Sequence, residues 1–86
     1  MSEQIKKSLK DFILTEFLPG EDASELTDTT PLITGGVLDS IATLKLVLFL
    51  EETYGASFQA HEIDADHMDT IADIDRLVES KVSLRP

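Results

Sequence analysis

Between Gly36 and Gly55 the chain carries a segment that is apolar around most of a helical circumference, with Ile41, Leu44, Leu46, Val47, Leu48, Phe49, Leu50 and Tyr54. A helix of that kind packs against neighbours, so it is expected to be the central element, touched by both neighbouring helices. Asp39 stands where a capping carboxylate would accept from first-turn amides, and Gly55 stands where a left-handed residue would end the helix. Together they set a helix over 40–54.

The remaining periodicity supplies its partners. Ile5, Leu9, Phe12, Ile13 and Phe17 recur at helical intervals over 3–17, while Lys6, Lys7, Lys10, Asp11 and Glu16 mark the wet side. Pro19-Gly20 closes that helix. The stretch holding Thr27, Asp28, Thr29, Thr30 and Pro31 is rich in turn formers, and Leu26, Leu32 and Ile33 are expected to tuck in as apolar anchors. Residues 56–60 are too short and isolated to argue for a sheet, and 61–66 supports at most a short, weak helix. Thr70 followed by Asp73 resembles a capping box with aspartate in the glutamate position. It introduces Ile71, Ile74, Leu77, Val78 and Val82 over 70–82. The expected fold is all-α, a four-helix bundle with a short third helix, forming a single domain over 1–86.

Size and charge restrict what such a domain does. A chain of 86 residues buries only about 60 to 65% of its unfolded surface, which leaves no room for a deep catalytic cavity beside the core. There is no cysteine, hence no disulfide and no thiolate metal site, which fits the cytoplasm. No basic segment leads into an apolar one at the N-terminus, and no apolar run approaches bilayer length, so membrane insertion is not expected. Seventeen acidic residues against seven basic ones give a net charge of -10. That balance disfavours nucleic acid and anionic membrane and favours partners with basic surfaces, although solubility alone also accounts for it. A monomer is expected, because the helical stripes can satisfy one another.

The run Gly35-Gly36-Val37-Leu38-Asp39-Ser40 delivers a serine to the loop-to-helix junction. A large group attached there would stay outside while the following turns enter the core. Hydrolysis at Ser40 would need a histidine base, and the only histidines, His61 and His67, lie in the acidic segment after the central helix. With Glu62, Asp64 and Asp66 they superficially resemble metal ligands but lack a recognised spacing, and no metal is assigned. A cap or first-turn hydroxyl is the plain structural reading of Asp39-Ser40.

Asp39-Ser40-Ile41, continued by Leu44, Val47, Leu50, Glu51, Tyr54 and Gly55, resembles the acyl carrier and peptidyl carrier family over essentially the whole chain. The longer match Gly36-Val37-Leu38-Asp39-Ser40-Ile41-Ala42-Thr43, with His61-Glu62-Ile63-Asp64 and Asp69-Thr70-Ile71, looks more like D-alanyl carriers and stand-alone aminoacyl carriers than the fatty-acid type. The resemblance implies an acyl-carrier-like four-helix bundle with a covalent 4'-phosphopantetheine on Ser40, derived from coenzyme A. Asp39 would both cap the helix and contribute to recognition by the phosphopantetheinyl transferase. The chain would then be no enzyme. It would be loaded by an adenylate-forming ligase or acyltransferase and would deliver its cargo to an acyl-transfer, condensing or tailoring enzyme. Secondary-metabolite assembly (antibiotic, polyketide or nonribosomal peptide biosynthesis) is favoured over D-alanylation of cell-wall polymers. An unmodified acidic interaction module is the alternative of a different class.

A partner surface follows from the same placement. Val37, Leu38 and Ile41 bracket Ser40 and could combine packing with apolar contact, with core packing the first reading of Ile41. Glu51, Glu52, Glu62, Asp64 and Asp66 offer charges to basic residues opposite. Lys45 stands where fatty-acid carriers commonly present glutamate, and Ala42 replaces another frequently acidic position. Either this marks a dedicated set of partners, or Lys45 merely pairs with a nearby acid on an exposed face.

Overall fold

A computed structural model describes residues 3–20, 24 and 26–82. Helix α1 spans Glu3–Phe17, α2 Ser40–Tyr54, α3 Ala65–Met68 and α4 Ile71–Val82, and a short 3-10 turn covers Ala60–Glu62. The fold is all-α, and the described residues contain no strand. No helix is long and apolar enough to cross a membrane among them.

The core is one cluster. Leu9 and Ile13 of α1, Leu46 and Leu50 of α2, Met68 of α3, and Ile71, Ile74 and Val78 of α4 are fully buried, and Leu26, Leu32 and Leu38 reach it from the long loop. The loop anchors Leu26 and Leu32 therefore sit where their apolarity directs them, with Ile33 half-buried beside them.

The centre of the bundle differs from the sequence expectation. Helix α4 packs on α1, α2 and α3, whereas α2 meets α1 and α4. Along α2 only Ala42, Thr43, Leu46, Val47 and Leu50 are buried. Ile41, Leu44 and Leu48 stay exposed despite their apolarity. Helices α1 and α4 cover one side of α2, and among the described residues no other helix covers these three side chains.

Lys6, expected on the wet side of α1, is buried too. Its stem lies along the core, and its ammonium reaches the Asp28 carboxylate at 2.7 Å, with Lys10 on the other oxygen at 3.0 Å. The two cations hold the Asp28 carboxyl below its ordinary value. The Asp28 carbonyl also accepts from Ala72 N–H at 3.1 Å, which ties α1, the loop and the start of α4 together.

The short helix expected over 61–66 is divided. Gln59 and Glu62 form a reciprocal capping pair around the 3-10 turn. Asp64 starts a new turn by accepting from His67 N–H at 3.1 Å. Helix α3 therefore begins at Ala65 and carries Met68 into the core. Thr70 caps α4 from outside, its hydroxyl accepting from Asp73 N–H at 3.1 Å, so α4 starts one residue after the expected boundary.

Candidate functional site

The site is the junction where the long loop becomes α2. Gly36 turns the chain with φ at 83°, a left-handed conformation that side-chain-bearing residues rarely adopt. At Gly35 a Cβ would run into the Pro31 carbonyl oxygen. The pair of glycines thus lets the loop double back, and Leu38 N–H donates to Leu32 C=O at 2.8 Å to close it. Leu38 is then 2% exposed and nails the end of the loop to the core. Packing is thus the first of the two roles expected of Leu38. Val37 beside it is half-buried.

Asp39 is the N-cap of α2. Its Oδ1 accepts from Ala42 N–H at 2.7 Å, and its carbonyl oxygen accepts from Thr43 N–H at 2.9 Å and from the Thr43 hydroxyl at 2.8 Å. Ser40 is the first helical residue and is exposed. The amides at this end of the helix lie beyond reach of any intrahelical carbonyl and favour negative charge close to the Ser40 hydroxyl.

The loop is held in place from across the molecule. Asp69, between α3 and α4, accepts through Oδ1 from Ile33 N–H at 2.8 Å and Thr34 N–H at 2.9 Å, and through Oδ2 from the Thr34 hydroxyl at 2.7 Å. Its backbone carbonyl accepts from Leu32 N–H at 2.6 Å. The Thr34 amide and hydroxyl, followed by the Ile33 amide, hold the Asp69 carboxyl below its ordinary value. Sequence reasoning placed Asp69 in a motif but gave it no part in presenting Ser40. A lone carboxylate 35 residues from its partner Thr34 leaves no periodic signal.

Beside Ser40 opens a cleft of about 530 Å³, lined by Ile33, Leu38, Asp39, Ser40, Thr43, Leu44, Ile63 and Asp64. Its walls are mainly apolar, with the Asp39 and Asp64 carboxylates among the lining groups.

The five acids expected to face partners separate into two groups. Glu51 is half-buried and accepts from Phe58 N–H at 3.2 Å. Glu62 receives Lys81 at 2.7 Å and Gln59 N–H at 2.8 Å, which keep its carboxyl below its ordinary value. Asp64 caps α3 and binds the His67 ring at 2.8 Å. That contact lowers the Asp64 carboxyl and raises the His67 imidazole. These three acids have structural duties, whereas Glu52 and Asp66 are exposed.

Lys45 is exposed and makes no ion pair among the described residues. The pairing reading of Lys45 is therefore set aside. Ile41, first read as core, is 67% exposed. Leu44 and Leu48 stand on the same face and were missed, because a helix apolar on all sides does not reveal which side its neighbours cover. Among the described residues no three histidine, aspartate or glutamate side chains are placed to hold a metal ion. His61 and His67 meet edge to face at 6.3 Å between ring centroids.

No protein-family model matches the chain, and no curated protein matches it at a significant level.

Proposed function

We propose that the chain is an acyl or aminoacyl carrier of acyl-carrier-like fold, bearing 4'-phosphopantetheine on the Ser40 hydroxyl. The observation that carries this reading is the presentation of Ser40: an exposed hydroxyl on the first residue of a capped helix, beside an apolar cleft, on a loop pinned from both ends.

The residues fit the group. Ser40 Oγ would attack the pyrophosphate of coenzyme A, forming a new P–O bond and releasing 3',5'-adenosine bisphosphate, with the hydroxyl proton passing to a base of the transferase. The resulting phosphodiester would lie at the positive end of α2, where the first-turn amides favour its charge. Asp39 holds those turns in register and stands beside Ser40 for contact with the transferase and its metal ion. Ile33, Leu44 and Ile63 would give the apolar part of the arm a surface to rest on. The arm supplies the thiol that a chain without cysteine lacks, and it would hold the cargo as a thioester.

In this reading the protein is a substrate of enzymes, and the bond-making chemistry belongs to its partners. The Lys45 departure favours a dedicated partner set of the secondary-metabolite kind, with an adenylate-forming ligase or acyltransferase loading the chain and a transfer, condensing or tailoring enzyme unloading it, and the lack of cysteine fits a cytoplasmic setting. The exposed apolar stripe of α2 also favours a second reading, an interaction module that needs no arm. The two are separated by attachment of a single phosphopantetheine to the wild-type chain and not to Ser40→Ala.

A further inference from the structure

The seam between α1 and α2 is closed by phenylalanines. The Phe12 and Phe49 rings stack at 4.2 Å between centroids with 15° between their planes, and Phe17 meets Phe12 edge-on at 5.7 Å. Both stacked rings pack against the core yet are only half-buried. A groove of about 350 Å³ lies over them, lined by Ser8, Asp11, Phe12, Thr15, Glu16 and Phe49. The α1 members recur at helical intervals, so they form one stripe along that helix.

The lining selects a charge. Asp11 and Glu16 are exposed and pair with no cation among the described residues, whereas Asp28, Glu62 and Asp73 each meet one. No cation lines the groove, and Lys45, a turn before Phe49, stands outside it. Phenyl rings and carboxylates both attract a positive group, and a guanidinium suits them better than an ammonium. It is planar enough to lie on a ring, is more weakly hydrated, and still donates through its edge to a carboxylate. One guanidinium in an open groove holds little by itself, so it belongs to a protein surface that adds further contacts. A second copy is a poor donor, because two chains each carrying -10 repel.

We propose that this groove is a docking site for a protein partner that inserts an arginine, its guanidinium against the Phe12 and Phe49 rings and its charge met by the Asp11 and Glu16 carboxylates. Phe49 stands half a turn around α2 from Ser40 and about 13 Å farther along the helix. A partner held there leaves the Ser40 hydroxyl clear, so the site can tether the chain to one protein while another works at Ser40. The inference holds whatever Ser40 carries.

The test titrates the full chain with a capped glycyl-arginyl-leucine peptide, followed by NMR of the backbone amides and phenylalanine rings. Companion peptides carry lysine or norleucine in place of arginine. The expected result is saturable shifts at the Phe12 and Phe49 rings and the Asp11 and Glu16 amides, with a Kd in the millimolar range for arginine, weaker for lysine and none for norleucine. The double variant Asp11→Asn, Glu16→Gln should weaken arginine binding about threefold to tenfold, with Glu3→Gln at the start of α1 as the unchanged control. Circular dichroism should show equal helicity in all three chains. Shifts spread over the whole acidic surface, equal binding of lysine and arginine, indifference to the double variant, or no shift up to the solubility of the peptide overturns the proposal. Ring shifts that grow with protein concentration alone place a second copy in the groove and overturn it as well.

Discussion

The Asp69 carboxylate holds Thr34 by both its amide, at 2.9 Å, and its hydroxyl, at 2.7 Å. This contact ties the junction of α3 and α4 to the loop that presents Ser40. Two stretches far apart in sequence are thereby fixed against each other, and the serine inherits their rigidity. Asp69→Ala is expected to lower the melting temperature by several degrees and to slow modification of Ser40, with helical content nearly unchanged. Parallel thermal melts and timed modification check this.

The same contact sets a pH dependence. Asp69 has a lowered carboxyl pKa, so its contribution is present above the ordinary value of 3.8 and is lost as pH falls through the lower folded value. The stability difference between wild type and Asp69→Asn should therefore be constant near neutrality and shrink below about pH 4. His67 runs the other way. Its pKa is raised from 6.5 by Asp64, so its contribution is complete below 6.5 and fades as pH rises through the higher folded value. Melting curves of wild type, Asp69→Asn and His67→Asn across pH separate the two limbs.

The two faces of α2 should respond oppositely to truncation. Leu46 is fully buried, and Leu46→Ala is expected to cost about 2 to 5 kcal/mol. Leu44→Ala and Leu48→Ala, on the open face, should stay within about 0.5 kcal/mol of wild type. Urea unfolding of the three variants measures the contrast.

Gly36 provides a local check on the loop. With φ at 83°, Gly36→Ala is expected to cost about 1 to 2 kcal/mol by forcing a side chain into the left-handed region. Denaturant unfolding reads the cost, and slower modification of Ser40 would show that the strain reaches the site.

What the sequence made legible follows from what periodicity and caps encode. The expected 3–17 and 40–54 helices coincide with α1 and α2, since each has a repeating apolar pattern and an end signal, Pro19-Gly20 for one and Asp39 with Gly55 for the other. The segment 61–66 was misplaced because its limits depend on Glu62 and Asp64 capping separate turns, and such contacts do not show in an apolar repeat. The docking surface was only partly legible for a related reason. Glu51, Glu62 and Asp64 look free in sequence, but each is engaged by a contact with residues the apolar pattern does not link to it. Leu44 and Leu48 look like core and are exposed, because only the placement of α1 and α4 decides which side of α2 is left open.

The most direct test of the carrier reading is intact-protein mass spectrometry after incubation with coenzyme A, magnesium and a broad-specificity phosphopantetheinyl transferase, for wild type and Ser40→Ala. One phosphopantetheine on the wild type and none on a folded Ser40→Ala variant is the expected result. An unmodified wild type, under conditions that fully modify a control carrier, would contradict it and leave α2 as the binding face of an interaction module.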